Sequence, residues 1–396
     1  MAATCFFWQH HQHGLLLGIG NQDSFINEST LQETGFQNFL ARNSHQFIFG
    51  FLSFDIKNHF ENLTSNHPDE LGFPLVHFWV PESIYFVEDS PTLLWGSACI
   101  ENQKEAASII ATFHQKEVSL NTSFAPRTSK SDYFEHFEQL KQALQRGDIY
   151  EVNYCQEFTA APYQLNNPIG LFGRLYEEAK APHAAYFQTA DHVVLCASPE
   201  RFLQKIGSLL RSEPIKGTAP RGADEHSDQR SALALQNNPK ERSENIMIVD
   251  LVRNDLSQIA IKNSVDVEEL CQIYSFETVH QMISKISCEL KPQTKFIDIL
   301  KSCFPMGSMT GAPKISALEQ IENHEDFKRG LYSGSIGLIE PNGDFDFNVV
   351  IRSLLYNREK QYLSCAVGSA ITISANPTDE YNECLLKAQK LIHGLR

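Results

Sequence analysis

The spacing of apolar residues divides the chain into two regions. Residues 1–125 contain short apolar runs interrupted by prolines, a pattern that predicts short strands. A polar connector at 121–132 leads into apolar residues at helical spacing, for which we predict Ser131 as the N-cap and Gly147 as the end of the helix. We therefore predict an N-terminal region, residues 1–125, that packs on a larger region formed by residues 126–396.

Strands and helices are mixed in the larger region without strict alternation. The predicted strands are HVVLCAS, GSIGLIE and FDFNVVIRSLLY, and the predicted helices span 225–238, 296–304, 314–323 and 379–394. A doubly wound parallel sheet requires strands and helices to alternate along the chain. The observed order therefore favours an α+β fold.

One hairpin can be assigned in register from its turn residues. The segment 340–344, EPNGD, suits a type I turn followed by a left-handed glycine, which gives a three-residue loop and places Glu340 opposite Asp344. If this register continues along both strands, Tyr332 lies opposite Arg352 on one face. A surface cation–aromatic pair and a ligand-binding pair are the two interpretations of that arrangement.

Charge and cysteine content narrow the classes of partner and compartment. The 396 residues include 33 Lys and Arg against 48 Asp and Glu, a net charge of −15. Because nucleic acids and anionic membranes favour clustered positive charge, we expect neither as a partner, whereas a small anion could bind in a local cationic recess. Nine scattered cysteines without a CxxC pair, and no signal peptide or apolar membrane span, predict free thiols in a cytoplasmic protein.

Acidic residues in two segments could bind a divalent cation. Glu380, Glu383 and Lys387 lie along one face of the predicted C-terminal helix. Carboxylates at this spacing suit Mg²⁺, although a solvated helix with a Glu–Lys pair gives the same pattern. Glu244 leads into the apolar stretch NIMIVDLV, where either a buried ligand or a helix-terminal acid is expected.

Two further segments could bind or activate a substrate. The loop GSMTGAPK, residues 307–314, precedes a helix and could offer backbone amides to an anion or simply cap that helix. Lys216 in PIKGT follows apolar sequence, where burial could lower its pKa and provide an amine nucleophile. Glu200 in SPERFL could be the acid beside it. A buried structural ion pair is the alternative.

Nine segments together resemble those of the chorismate-utilising enzymes, in the same order and spacing over about residues 130–394. They are SPERFL, PIKGTAPRG, ENIMIVDLVRNDL, TVHQMIS, FPMGSMTGAPKISALEQIE, LYSGSIGLIE, VVIRSLL, GSAIT and DEYNECLLKA. The family comprises anthranilate synthase component I, aminodeoxychorismate synthase component I, isochorismate synthases and salicylate synthases. The resemblance implies a large mixed β-sheet sandwich core with helices packed outside, and makes residues 126–396 the chorismate-binding catalytic domain.

The resemblance also implies a role for each candidate residue. Glu244 and Glu383 would bind Mg²⁺ directly and Glu380 through water, so that the metal holds the ring carboxylate of chorismate. Tyr332 and Arg352 match the positions that bind the enolpyruvyl carboxylate. The substrate-lining positions are Gly217, Thr218, Thr310, Gly368, Ser369, Ala370 and Lys387.

Lys216 is implied to distinguish between members of this family. Anthranilate synthases resemble one another in carrying Ala at this position, whereas aminodeoxychorismate synthases carry Lys. The amine of Lys216 would add to C2 of chorismate while Glu200 protonates the departing C4 hydroxyl, with His280 close to the reacting part of the ring. Ammonia would then add at C4. The water-activating Lys of isochorismate and salicylate synthases is absent from the segment YEVNYCQEF.

The sequence thus predicts an aminodeoxychorismate synthase component I of p-aminobenzoate and folate synthesis. No cysteine lies in a nucleophile-elbow context, so we expect ammonia to come from a separate glutamine amidotransferase subunit. Anthranilate synthase component I is the alternative enzyme. A catalytically silent binding subunit that has kept the fold is the alternative of a different class.

Overall fold

The computed structural model describes residues 5–88, 90–115 and 117–395. Its helices are α1 (Glu33–Arg42), α2 (Lys57–Phe60), α3 (Ile100–Phe113), α4 (Lys130–Arg146), α5 (Pro168–Ala179), α6 (Glu225–Gln236), α7 (Pro239–Ile259), α8 (Phe296–Cys303), α9 (Lys314–His324) and α10 (Pro377–Gly394). Its strands are β1 (Cys5–His10), β2 (Gly14–Ile19), β3 (Asp23–Asn27), β4 (Ile48–Leu52), β5 (Val76–Val80), β6 (Ser83–Phe86), β7 (Thr92–Gly96), β8 (Ala125–Pro126), β9 (Glu151–Ala160), β10 (His183–Gln188), β11 (His192–Ser198), β12 (Arg201–Ile206), β13 (Leu209–Glu213), β14 (Ile215–Pro220), β15 (Asp266–Ser275), β16 (Val279–Glu289), β17 (Gly311–Ala312), β18 (Ser335–Ile339), β19 (Phe345–Asn348), β20 (Ser353–Asn357) and β21 (Tyr362–Thr372).

Two large sheets form the framework of this α+β fold. The first sheet has the order β17-β9-β21-β20-β11-β10-β1-β2-β6-β7, with β8 paired to β9. The second has the order β14-β16-β13-β12-β19-β18-β4-β5-β3, with β15 paired to β16. The pairings within the described ranges are antiparallel. The α+β fold is thus confirmed, but the sheets are not mixed, because neighbouring strands run in opposite directions.

Aromatic side chains join the two sheets face to face. The ring centroids of Phe6 on β1 and Phe49 on β4 are 4.3 Å apart, and those of Trp79 on β5 and Phe187 on β10 are 4.9 Å apart. All four rings are buried. Each such ring removes a large apolar area from water, so this layer is a principal source of stability. The predicted sandwich is therefore a packed aromatic core between the sheets.

Helices cover the outer face of the first sheet. Phe7 of β1 points away from the aromatic layer and stacks on Phe113 of α3, with 5.2 Å between ring centroids. It also packs against Phe172 of α5 at 5.7 Å. Adjacent residues of a strand point to opposite faces, so Phe6 and Phe7 serve two different cores. The predicted position of helices outside the sheets is confirmed here.

The N-terminal strands are integral to both sheets. In the first sheet β1 pairs with β10, placing Phe6 opposite Phe187. In the second sheet β4 pairs with β18, placing Gly50 opposite Gly337. The boundary between residues 125 and 126 stays a prediction. The pairing shows that the N-terminal segment extends the sheets by hydrogen bonding in addition to packing on them.

The helix after the polar connector begins two residues earlier than predicted. Ser129, not Ser131, is the N-cap of α4, because its hydroxyl accepts a hydrogen bond of 3.2 Å from the Asp132 amide. Gly147 ends the helix in the left-handed conformation, with φ of 80°, as predicted. The helices predicted at 225–238, 296–304, 314–323 and 379–394 are α6, α8, α9 and α10.

The predicted hairpin register is correct near the turn and wrong beyond it. The Glu340 amide donates to the Asp344 carbonyl at 2.8 Å, and the ladder extends to Gly337 opposite Phe347. The strand predicted over 345–356 is broken, however, because β19 belongs to the second sheet and β20 to the first. Residues 349–352 carry the chain between the sheets.

The crossover removes Arg352 from the ladder that the register argument assumed. Arg352 has a φ of 50°, and Tyr332 lies in a turn before β18. The two residues are therefore not a cross-strand pair. A left-handed backbone conformation at a non-glycine residue is strained, which is consistent with a position fixed by its surroundings.

The state of the cysteines and the character of the helices can be read from the described residues. All nine cysteines lie in the described ranges and are free thiols. No helix within 5–88, 90–115 or 117–395 combines the length and apolar character needed to cross a membrane.

Candidate active site

Lys216 lies on β14 in a buried ion pair that joins the two sheets. Its Nζ is 2.7 Å from Oε1 of Glu151, which lies on β9 and is fully buried. Burial lowers the pKa of Lys216, but the negative charges of Glu151 and Glu244 outweigh it and raise that pKa above its usual value. The predicted lowering of the pKa is therefore wrong. A raised pKa favours the protonated ammonium form of Lys216.

Glu200 lies between β11 and β12 with its side chain buried. Burial raises the pKa of Glu200 to about 7, while the positive charges of Lys216 and Arg352 act in the opposite direction. A carboxyl group with a pKa near neutrality can both donate and accept a proton at physiological pH. The structure thus brings Glu200 into the electrostatic reach of Lys216, with the protonation behaviour that an acid/base group needs.

Carboxylates from α7 and α10 face one another around a lysine. Lys240 Nζ lies 2.8 Å from Oε1 of Glu380 and 3.9 Å from Oε1 of Glu244. Both glutamates are buried. Burial raises the pKa of Glu244 to about 8 and also raises that of Glu380. Among the described residues, each carboxylate keeps one buried oxygen, Glu244 Oε1 and Glu380 Oε2, without a hydrogen-bond partner.

Glu383 and Lys387 form the part of the cluster that is open to solvent. They are an i,i+4 pair on α10 with 2.8 Å between Lys387 Nζ and Glu383 Oε1, and each side chain is about 40% exposed. Although burial raises the pKa of Glu383, Lys387 outweighs it and the pKa is lowered. Lys387 Nζ also donates to the Gly368 carbonyl at 2.7 Å. This contact joins α10 to the substrate-lining segment of β21.

Three neighbouring positions that the resemblance predicts to line the substrate lie on β21 opposite β9. Gly368, Ser369 and Ala370 pair with Cys155, Tyr154 and Asn153. A Cβ at Gly368 would lie 2.5 Å from Oδ1 of Asn153 and 2.7 Å from Sγ of Cys155, so a side chain there would require these groups to move. The glycine is therefore needed for the close approach of the two strands.

Two other positions that are predicted to line the substrate differ in exposure. Thr310 is buried, and its hydroxyl donates to the Gly307 carbonyl at 3.2 Å. Thr218 is exposed on β14. The segment 307–314 is a short 3₁₀ turn followed by β17 and α9, so it forms structure of its own before the helix begins.

Tyr332 and Arg352 lie in different surroundings. The Tyr332 hydroxyl is buried 3.8 Å from Sγ of Cys155, and burial raises the pKa of Tyr332. Arg352 is exposed to solvent, yet protein surrounds it on most sides and its pKa is lowered by that environment, against the charge of Glu200. Tyr332 is thus enclosed, whereas Arg352 is accessible from solvent.

His280 is held by groups outside this cluster. Its Nδ1 lies 2.8 Å from the Ser275 hydroxyl, and its Nε2 lies 3.0 Å from Oδ1 of Asp228 on α6. Both ring nitrogens are therefore engaged. The contacts with α6 and β15 do not join His280 to Lys216 or Glu200, and its predicted role near the substrate ring stays a prediction.

A comparison with models of protein families shows which family the chain belongs to. The model described as chorismate binding enzyme matches residues 4–393. The chain belongs to the chorismate binding enzyme family. The match includes the N-terminal strands, in keeping with their place in both sheets.

Several relatives within the chorismate binding enzyme family cover most of the chain. Aminodeoxychorismate synthase component 1 from Klebsiella aerogenes is 33% identical over 359 residues, which are 87% of this chain and 76% of the relative. The protein of the same name from Bacillus subtilis (strain 168) is 32% identical over 358 residues, or 86% and 74%. An anthranilate synthase component I-like protein from Synechocystis sp. (strain ATCC 27184 / PCC 6803 / Kazusa) is 32% identical over 352 residues, or 87% and 72%.

Solved structures share the fold at lower identity. Anthranilate synthase component I from Streptococcus pneumoniae TIGR4 superposes with a TM-score of 0.81 at 23% identity, covering 95% of this chain and 91% of that one. The menaquinone-specific isochorismate synthase from Escherichia coli superposes with a TM-score of 0.76 at 20% identity, covering 99% and 89%. These likenesses confirm the predicted anthranilate synthase component I-like fold.

Two acidic residues of this chorismate binding enzyme were missed by sequence reasoning. Glu151 lies in β9, where nine of ten residues are buried, and a charged residue within such a strand requires a partner. Glu241 lies one turn before Glu244 on α7, at the same i,i+3 spacing as Glu380 and Glu383. Burial raises the pKa of Glu241, and the charges of Lys240 and Glu383 act on it. The paired spacing, ERSE and EYNE, was the signal that could have revealed it.

The carboxylates fit a hard divalent cation by their chemistry. Carboxylate oxygens are the donors that Mg²⁺ prefers, and the unpartnered oxygens of Glu244 and Glu380 are buried donors of that type. In the part of the chain that the structure describes, no three such donors converge on one metal position. Instead, the ammonium group of Lys240 lies between Glu244 and Glu380, so a metal there must displace this lysine.

A buried arginine fixes the segments that carry the site. Arg329 forms a two-point ion pair with Glu325, with contacts of 2.8 and 2.6 Å. It also donates to the carbonyls of Met309 and Asn153 at 2.8 and 2.9 Å. One side chain thereby links β9, the 3₁₀ turn at 307–309 and the segment that leads to Tyr332.

Proposed function

We propose that the protein is the component I of an aminodeoxychorismate synthase, a transferase that aminates chorismate to 4-amino-4-deoxychorismate in p-aminobenzoate and folate synthesis. One observation carries the proposal: the side chain of Lys216, 10% exposed, lies at the junction of the two sheets, within the electrostatic reach of Glu200, whose pKa burial raises to about 7. The relatives named aminodeoxychorismate synthase component 1 support the same assignment.

The chemistry requires a nucleophile and an acid acting on opposite ends of an allylic system. The amine of Lys216 adds to C2 of chorismate, and Glu200 gives a proton to the C4 hydroxyl, which leaves as water. Ammonia adds at C4, the bond between C2 and Lys216 breaks, and its electron pair returns to the amine. The enolpyruvyl group is retained throughout.

Binding of the two carboxylates of chorismate falls to cationic groups around this centre. Arg352, which is exposed to solvent, would bind the enolpyruvyl carboxylate, together with the hydroxyl of Tyr332 in the turn before β18. Glu244 and Glu383, with Glu380 through water, would hold Mg²⁺, which when bound supplies positive charge for the ring carboxylate. Neutralising both carboxylates is necessary because the protein carries a net charge of −15.

Product identification tests the proposal. Purified protein is incubated with chorismate, ammonium and Mg²⁺, with and without an aminodeoxychorismate lyase, and products are separated by chromatography. We expect p-aminobenzoate and pyruvate only when the lyase is present. Anthranilate and pyruvate formed without lyase would show the alternative enzyme, and no turnover in any condition would support a silent binding subunit.

The covalent step has its own test by intact mass. Chorismate without ammonia should increase the mass of the protein by that of chorismate less one water. The adduct should be lost in Lys216→Ala and retained in the control Lys262→Ala, because Lys262 is exposed in a turn. Full activity in Lys216→Ala contradicts the assignment of the nucleophile.

The source of ammonia and the compartment are part of the proposal. The relatives' designation as component 1 supports a separate partner subunit, and we propose a glutamine amidotransferase. Activity with ammonium should not require the partner, whereas activity with glutamine should. Nine free thiols are consistent with a cytoplasmic location.

A further inference from the structure

Glu151 is a buried acid for which the proposed mechanism has no role. It begins β9 and has no exposed surface. Lys216 donates a hydrogen bond to Oε1 of Glu151, whereas Oε2 of Glu151 has no hydrogen-bond partner in the described part of the chain. An ionised carboxylate with one unpaired oxygen is costly to bury. Glu151 lies beside the amine of Lys216, which must change its protonation state during the reaction. This position indicates a chemical role for Glu151.

The backbone around Glu151 is fixed by the strand on its other side. Glu151 pairs with Ala312 of β17, and the Tyr150 amide donates to the Ala312 carbonyl at 2.7 Å. Gly311 has a φ of 145°, and a Cβ there would lie 2.1 Å from the Glu151 carbonyl oxygen. Because no side chain fits at Gly311, β17 approaches Glu151 closely. The carboxylate therefore has a defined position relative to Lys216.

The charges facing Lys216 come from each element packed around it. Glu151 lies on β9, Glu200 between β11 and β12, Glu244 on α7 and Glu383 on α10. Within the described ranges, Glu151 is the carboxylate that lies within 4.0 Å of Lys216 Nζ. Glu200 is required in its protonated form to release water from C4, and Glu244 is a candidate metal ligand. Glu151 is thus the acid free to exchange a proton with the amine.

We propose that Glu151 is the base that takes the proton from Lys216 before attack and returns it after the lysine is released. This inference rests on the proposed function. It adds a second acid/base group to the site, so that Glu151 serves the nucleophile and Glu200 serves the leaving group. The proton moves across a contact of 2.7 Å and need not enter solvent.

Protons and electron pairs balance over the cycle. The ion pair becomes a neutral amine and a protonated Glu151, and the amine forms a bond to C2 while the C4–oxygen bond breaks. Glu200 supplies the proton that makes the leaving group water. Ammonia forms the bond to C4, the C2–nitrogen bond breaks, and the neutral Lys216 recovers its proton from Glu151. The new ammonium at C4 gives one proton to Glu200, which restores the starting state.

The pH dependence of kcat tests this role. In the native protein, transfer within the pair does not change the number of bound protons, so the contribution of Lys216 to kcat should not vary between pH 7 and 9. Loss of the proton from Glu200, whose pKa burial raises to about 7, lowers kcat over this range in the native protein and the variant alike. In Glu151→Gln, Lys216 must release its proton to solvent. We therefore expect the kcat of the variant, divided by that of the native protein, to be about 10⁻² to 10⁻⁴ at pH 7, the usual contribution of a general base, and the logarithm of this ratio to rise with a slope of about 1 over this range.

Two further variants separate the chemical role from a structural one. Glu157→Gln also removes a buried glutamate from β9, but Glu157 contacts Arg127, Tyr362 and Ser364 instead of Lys216, so the native pH profile should be kept. Glu151→Asp keeps the carboxylate at a longer distance and should lose less activity than Glu151→Gln while retaining the native pH profile. It also provides the test if Glu151→Gln folds poorly.

The outcomes are distinguishable from failure of the proposed function. If the native protein forms 4-amino-4-deoxychorismate but Glu151→Gln keeps either its rate or the shape of its pH profile, the role of Glu151 is refuted and the proposed function stands. If the native protein forms no such product, the proposed function fails and the inference fails with it. Formation of the Lys216 adduct in Glu151→Gln that is slow at pH 7 relative to the native protein, and approaches the native rate by pH 9, supports the inference.

Discussion

Replacing Arg329 with methionine should destabilise the fold by leaving a buried carboxylate without its partner. Arg329 is 2% exposed and forms both contacts to Glu325, which is 4% exposed. In the variant, Glu325 would keep the Cys155 amide, at 2.9 Å, as its remaining donor. Methionine restores much of the apolar volume of arginine, so the main cost is electrostatic.

The magnitude follows from the groups left unpaired. Removing one partner of a buried ion pair costs about 3–5 kcal/mol, and two carbonyls that lose a donor add about 1 kcal/mol each where water does not replace it. These carbonyls belong to Met309 and Asn153. We expect the free energy of unfolding to fall by about 3–7 kcal/mol, the lower value applying where water reaches both carbonyls.

Urea unfolding followed by circular dichroism measures this loss. Arg253→Met is the matched control, because Arg253 forms an exposed pair with Asp250 and should change the unfolding free energy by less than about 0.5 kcal/mol. The double variant with Glu325→Leu should recover part of the loss, since it removes the unpaired charge. A loss below about 1 kcal/mol in Arg329→Met, or no recovery in the double variant, refutes this reasoning.

Three further predictions concern the site itself. Glu200→Gln should lower kcat by about 10² to 10⁴. In urea unfolding it should also be more stable than the native protein at pH 8 but not at pH 4. The reason is that the raised pKa of Glu200 makes the native protein lose stability as pH rises from about 4.5 to about 7, whereas the glutamine variant has no such group. An equal difference at both pH values contradicts the assigned burial of the charge. Lys240→Met should bind Mg²⁺ more tightly by calorimetry, because the competing ammonium is gone, whereas the exposed Lys390→Met should not; unchanged affinity contradicts the competition. Arg352→Gln should raise KM for chorismate at least about tenfold with a smaller change in kcat, as expected when a charge-assisted hydrogen bond is lost; an unchanged KM removes Arg352 from the binding site.

Elements with strong local patterns were predictable from the sequence. The apolar face and Gly147 determine α4 and its end, and the residues of the hairpin turn determine the register from Ile339 opposite Phe345 to Gly337 opposite Phe347. Both depend on interactions between residues close in sequence. Periodicity and turn chemistry are informative at that range.

Features that depend on which sheet a strand joins were not predictable. The pairing of Tyr332 with Arg352 failed because the chain leaves one sheet for the other after Asn348, whereas the strand-like pattern of residues 345–356 continues past that point. Likewise, Glu151 and Lys216 are 65 residues apart and lie on different sheets. Their contact depends on how the two sheets pack together, so it cannot be predicted from the residues next to either of them in the sequence. The family resemblance supplied the role of Lys216 but not its ion-pair partner.

The arrangement of charges explains how an acidic protein can bind a dianion. Lys216, Lys240 and Lys387 each lie within 3 Å of a glutamate, so each of these cations is already neutralised by the protein. Arg352 differs, because among the described residues it has no carboxylate within ion-pair distance, and the charge of Glu200 acts on it only from farther away. Since binding a substrate carboxylate at Arg352 breaks no existing pair, we expect this residue to provide the first anchor for chorismate. The lysines that are paired with glutamates can then exchange protons with them or be displaced by a metal ion. Both processes need a carboxylate close by.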